Sequence, residues 1–136
     1  MSSAQVQVQF TNINDGNYGR VIFVQKTVPR TFALLRFRLR KPIQLRAVVK
    51  TDEIDIPFKI GRVGPEDSQK QVERGDIGYW PQGQVLIIYL QDKQIKYPIN
   101  LIGHIKENYG FFDELKMGQN IRCELIQQGI DEEYYL

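Results

Sequence analysis

The sequence predicts a mostly β domain, a barrel or sandwich of short strands with one or two brief helices. Three observations carry that expectation. Apolar and polar residues alternate with period two in several short stretches. Turns rich in Gly, Asn, Asp and Pro separate those stretches. The apolar run Val85 to Leu90 has the length of a strand buried on both faces, not of a helix.

Taken in order, Val6, Val8 and Phe10 alternate with Gln5, Gln7 and Gln9, as in a strand with one wet face. Asn12 to Asn17 is turn chemistry, because Asn, Asp and Gly accept left-handed backbone angles. Val21 to Val24 completes a hairpin over residues 5–25. Pro29 stands where a helix can begin, since its missing N–H costs nothing in a first turn. Thr31 to Leu39 carries both a helical stripe (Leu34, Leu35, Leu39) and a strand-like alternation from Arg36 to Arg40. A short helix ending before Pro42 is the favoured reading, because the residue before proline resists helical angles.

Leu45 to Val49 and Ile54 to Ile60 follow as strands, with Pro57 pushing the second toward an edge or a bulge. Gly61 to Gln71 is polar, and Glu66 to Gln71 is expected to form one helical turn. Asp76 to Trp80 and Val85 to Leu90 flank the turn Pro81-Gln82-Gly83-Gln84. Ile99 to Ile105 is a strand, Phe111 to Lys116 a short helix stopped at Gly118, and Ile121 to Ile126 the last strand. No repeat, linker or low-complexity stretch interrupts the chain, so residues 1–136 are expected to form one domain.

Composition narrows the function. The chain of 136 residues is 42% hydrophobic and 25% charged, so a packed domain is expected rather than disorder. No apolar run can span a bilayer, and the start lacks the basic and apolar regions of a signal peptide. A single cysteine, Cys123, cannot form an internal disulfide, and a cytoplasmic protein is the simple expectation. One histidine and one cysteine cannot build the usual four-ligand zinc site, so no metal and no cofactor is expected. His104 reads as a surface or hydrogen-bonded structural histidine, and Cys123 as a buried small residue or an inert thiol. No nucleophile elbow and no phosphate-binding glycine loop is present. The acids Asp52, Glu53 and Asp55, the pair Asp113-Glu114 and the tail from Asp131 to Glu133 read as solvated charges.

Charge is unevenly spread. Residues 1–50 hold nine Lys/Arg against one acid, and residues 51–136 hold nine against fifteen. In a separable arm that asymmetry points to nucleic acid. In one compact domain it points to charges paired across strands, and that reading is preferred.

Three stretches are distinctive: Pro42 to Ala47 with Asp52-Glu53-Ile54-Asp55-Ile56-Pro57, then Arg74-Gly75-Asp76-Ile77-Gly78-Tyr79-Trp80-Pro81-Gln82-Gly83 to Tyr89, then Pro98 to Ile105. They resemble the small cyclophilin-like proteins of archaea and bacteria, a group of largely unassigned function. The resemblance extends over about residues 20–126 and implies a closed cyclophilin-like β-barrel with one or two short helices. Thr27 to Phe32 is similar to the helix start of the prolyl isomerases themselves. Where those enzymes carry a Phe-His-Arg triplet, this chain has Pro57-Phe58-Lys59, and their Gln-Phe-Phe strand aligns with Gln84-Val85-Leu86. Lysine does not replace the planar donor fork of arginine, so that mechanism of proline isomerisation is not expected.

The leading expectation is therefore a non-catalytic binding module with a small apolar cleft for a peptide or small molecule. Its candidate ligand-binding residues are Phe58, Tyr79, Trp80, Pro81, Gln84 and Asn100. Trp80 and Pro81 make a rigid apolar surface that either walls a pocket or plugs a barrel end. Asn100 either orients a polar ligand group or caps a strand end. One alternative is a weak peptidyl-prolyl isomerase without the usual arginine. The other is single-stranded nucleic-acid binding through the basic segment 30–46. No membrane partner is expected, and a homo-oligomer through an exposed strand edge is open.

Overall fold

The structure, a computed structural model, describes residues 4–126; the acidic tail read from Asp131 onward lies outside them. The expected hairpin is present, with β1 (Gln5–Asn12) antiparallel to β2 (Tyr18–Val24) and Val8 opposite Val21. Its turn contains Gly16 at φ 77°, a left-handed angle that glycine adopts without strain.

Helix α1 (Pro29–Arg38) starts at Pro29 as the sequence predicts, and its apolar residues Phe32 and Leu35 are buried. Val28 at its N-cap supplies no side-chain bond. The cap comes from 35 residues away, where the Glu66 carboxylate accepts from the Arg30 and Thr31 backbone N–H groups at 2.9 and 2.7 Å. Glu66 thus belongs to no helical turn. Gln69 to Gln71 is extended instead, within strand β6 (Gln69–Val72).

The expected strand over Leu45 to Val49 is split by Ala47 into β3 (Ile43–Arg46) and β4 (Val48–Val49). Strand β5 (Glu53–Pro57) stops at its proline, short of Ile60. Then come β7 (Asp76–Trp80), β8 (Val85–Tyr89), β9 (Lys93–Glu107), α2 (Tyr109–Asp113) and β10 (Asn120–Leu125). The neighbours run β3-β10-β1-β2-β9-β7-β8-β5-β4, all antiparallel, with β6 added on β9.

The ladder does not close, which corrects the expected closed barrel. Its two end strands, β3 and β4, are consecutive in the chain and joined by Ala47 alone. The sheet therefore curls until its edges meet at one residue without pairing. The reason is local. The Ala47 N–H donates to Gln119 O at 3.0 Å and its carbonyl accepts from Gly118 N at 2.9 Å, so the loop before β10 takes both groups.

Inside the curl, Phe10, Phe23, Ile54, Ile77 and Leu86 meet α1 and the α2 rings Phe111 and Phe112. Phe112 packs edge-on to Phe10 with centroids 5.9 Å apart. A second, smaller apolar cluster of Val72, Ile87, Tyr89 and Ile99 lies on the other face, under β6 and the first half of β9. Among the described residues, no helix is long and apolar enough to cross a membrane.

Cys123 faces Phe10 on one side and Ile43 on the other within paired strands and is 1% exposed. Burial pushes its thiol well above the usual cysteine range. A disulfide reagent should therefore label it at least about a thousandfold more slowly than a free cysteine, with opening of the sheet as the limiting step. Fast labelling of the folded protein would contradict this packing.

Candidate functional site

The second cluster positions the site. Alternation along β5 sends Ile54 and Ile56 into the core and leaves Glu53 and Asp55 on the opposite face. On neighbouring β8, Glu53 lies opposite Tyr89 and Asp55 opposite Ile87. On β7, Gly78 lies opposite Ile87 and Trp80 opposite Val85. Gly78 has a packing reason: an added Cβ would lie 2.6 Å from Ile99 Cδ1, so only glycine lets Ile99 settle onto the sheet.

The first half of β9 pairs with β6 beyond that face and raises a wall over it. Between this wall and β5 is a cavity of about 300 Å³. Buried Ile87, Tyr89 and Ile99 back it, Trp80, Ile95 and Tyr97 close one side, and Lys50, Glu53 and Asp55 close the other. The Trp80 and Tyr97 rings stack at 5.2 Å and 20°, with Tyr97 half exposed. A Cβ on Gly83 would clash with the Trp80 ring, so the indole lies across the β7–β8 turn.

The polar side is nearly neutral. Lys93 Nζ donates to Asp52 Oδ2 at 2.9 Å and to Glu53 Oε1 at 2.7 Å, and Lys50 Nζ to Asp55 Oδ2 at 2.8 Å. Burial works against the Lys93 charge, but its two carboxylate bonds outweigh it and raise its pKa. The Asp55 carboxylate raises Lys50, and the bond from Lys93 lowers Asp52. Glu53 moves the other way. Burial lifts its carboxyl above the usual range, the adjacent Asp55 adds to the lift, and Lys93 only partly offsets it. Asp55 Oδ1 is the one buried side-chain oxygen without a hydrogen-bond partner among the described residues. The cavity thus offers a stacked aromatic pair, an apolar back wall and, at its polar side, the Asp55 carboxylate with one buried oxygen that lacks a partner.

A family model described as Cyclophilin-like matches residues 19–124. The chain belongs to the cyclophilin-like family. This cyclophilin-like chain also shares its fold with the solution structure of the hypothetical protein AF2241 from Archaeoglobus fulgidus. The TM-score is 0.75 at 21% identity, over 91% of this chain and 97% of that one. No curated protein matches.

Of the six residues expected to bind ligand, the cyclophilin-like fold brings Trp80 to the cavity and Pro81 to a neighbouring hollow of about 120 Å³, shared with Val63, Pro65 and Pro98. Trp80 is therefore a wall on the outer face and not a plug in the sheet's interior. Phe58 and Tyr79 face inward at 2% and 0% exposure, and the Tyr79 hydroxyl donates to Phe58 O at 2.7 Å. Gln84 is exposed at φ 56°, and its carbonyl accepts from Phe58 N. Asn100 is fully buried. Its Nδ2 donates to Thr31 Oγ1 and Gly64 O, both at 3.0 Å, and its Oδ1 accepts from Glu66 N at 2.9 Å. It pins the loop that caps α1.

Phe58 is buried, and Pro57 and Lys59 on either side of it are exposed. Sequence reasoning missed Tyr97, Ile95 and Lys93 and read Glu53 and Asp55 as solvated. The Glu-Ile-Asp-Ile alternation did mark both acids as sharing a face.

Proposed function

We propose that this cyclophilin-like domain is a non-catalytic binding module that holds a small amphipathic molecule, or one side chain of a peptide, in the outer-face cavity. The observation that supports it most is Asp55 Oδ1, buried beside an aromatic stack and an apolar wall yet without a donor. A ligand N–H or O–H supplies that donor while its apolar body covers Trp80, Tyr97 and Ile95. About 300 Å³ is near the lower limit for such sites and fits a ligand the size of a single aromatic amine.

Trp80 is the only tryptophan, so its emission reports the cavity without background. Tyramine and 4-ethylphenol, followed by Trp80 fluorescence and by backbone amide shifts, are the first probes. Shifts should cluster at residues 53–55, 87–89 and 95–97. Replacing Asp55 with Asn should weaken the donor-bearing probe by about tenfold or more, the cost of a lost charge-assisted hydrogen bond. Shifts confined to residues 63–65 and 81–82, or none at millimolar probe, would sink the proposal. An Xaa-Pro peptide in the same sample should exchange its cis and trans forms at the unassisted rate.

A further inference from the structure

A second surface stands apart from that cavity. The charge asymmetry of the sequence is expected to resolve into ion pairs across strands, and among the described residues it does so for only part of the basic half. The ion pairs among the described residues use Arg20, Lys50, Arg74, Lys93 and Arg122. None uses Arg30, Arg36, Arg38, Arg40 or Lys41, all exposed on or just beyond α1. Lys59 and Arg62 are also exposed, on a segment that lies against the same helix, with Arg38 over the Phe58 ring at 5.8 Å and Leu34 beside Gly61. Arg36 and Arg38 in the last turn complement the helix dipole, but Arg30 in the first turn opposes it. Helix stability therefore does not account for the whole set.

At the centre of this basic surface is an apolar ring. Phe37 is 58% exposed, and the Arg40 guanidinium lies 3.8 Å from its centroid, held there by a 2.8 Å bond to the Phe37 carbonyl. A flat aromatic–guanidinium platform ringed by cations is complementary to a phosphate backbone whose bases are free to stack. A membrane surface fits less well. Phe32 and Leu35 of α1 and the following Leu39 are turned into the core and Leu34 is half-buried beside Gly61, which leaves Phe37 as the one exposed large apolar residue of the helix. A duplex keeps its bases stacked on one another and out of reach of Phe37.

We propose that the exposed face of α1, with Phe37 as stacking platform and Arg30, Arg36, Arg38, Arg40 and Lys41 as phosphate contacts, binds single-stranded nucleic acid without sequence preference. The inference is independent of the cavity reading.

The test is fluorescence anisotropy of the full chain with labelled oligothymidylate and oligouridylate of about 20 nucleotides. Five to seven contacts predict a log–log salt slope of about −3.5 to −5, or a loss of affinity of roughly a hundredfold to a thousandfold between about 50 and 200 mM salt. Phe37→Ala should weaken binding about tenfold and Phe37→Tyr should restore it. The Arg36→Gln, Arg40→Gln double variant should flatten the slope, and since both residues are exposed its melting temperature should fall by no more than a few degrees. Absence of binding at about 25 mM salt would overturn the proposal, because the phosphate term is strongest there. So would a Phe37→Ala variant that binds as tightly as the parent, or tighter capture by phosphatidylserine vesicles than by the oligonucleotides.

Discussion

Replacing Gly103 with alanine should destabilise the protein by about 3 kcal/mol or more, at or beyond the upper end for overpacked sites. Gly103 lies in β9, opposite Phe23 of β2 on one side and Ile77 of β7 on the other, where the β7–β9 register shifts. A Cβ there would collide with the Ile22 carbonyl oxygen and crowd the Phe23 Cα, both backbone atoms. No rotamer change relieves such a clash, so β2 and β9 must part in the middle of the sheet. Against a total stability of about 5–15 kcal/mol the loss is large. A urea titration should show the midpoint falling while the slope is unchanged. Gly64→Ala is the control, since a Cβ there meets nothing within 4 Å. A Gly103→Ala midpoint equal to that control would mean that the β2–β9 pairing is looser than described.

Asn100→Asp should cost more than Asn100→Ala. Alanine removes all three amide bonds and strands the Glu66 N–H and the Gly64 carbonyl, at about 1–3 kcal/mol. Aspartate also puts a buried negative charge beside the Gly64 carbonyl and near the Glu66 carboxylate, with no donor of its own, at about 3–5 kcal/mol near neutral pH. The sign of its pH dependence follows. The buried acid has a raised folded pKa, so the variant is most stable when protonated and loses stability as pH rises through that pKa. Melting temperatures of the two variants should converge on acidification and diverge above it. Equal behaviour at all pH values would place Asn100 in contact with solvent.

What the sequence made legible follows from the range of the interactions involved. The β1–β2 hairpin, the helix at Pro29, and the β7–turn–β8 unit depend on neighbouring residues, so period, proline and glycine announce them. Strand β6 was hidden because Gln69, Lys70 and Gln71 are polar and only Val72 is buried, on a partner about 20–30 residues away. The break at Ala47 was hidden because Leu45 to Val49 reads as one strand, and what breaks it is the loop at Gly118 and Gln119. At the cavity, Trp80 and Pro81 stand out in the sequence as part of an uncommon Tyr-Trp-Pro run before a glycine turn. Glu53 and Asp55 passed as solvated charges because what buries and pairs them, Tyr89 and Lys93 among others, arrives from a distant strand. Asn100 looked available for a ligand, and only the folded loop shows that its amide is already occupied.

The seam at Ala47 has a consequence for how the chain emerges from the ribosome. Strand β10 fills the slot between β1 and β3, so both remain bare edges until residues 120–125 have been made. Through most of synthesis the nascent chain therefore carries two strands open to pairing with a neighbouring chain. Strand β10 covers the facing edges of both at once and, through the Ala47 bonds to Gly118 and Gln119, locks the fold.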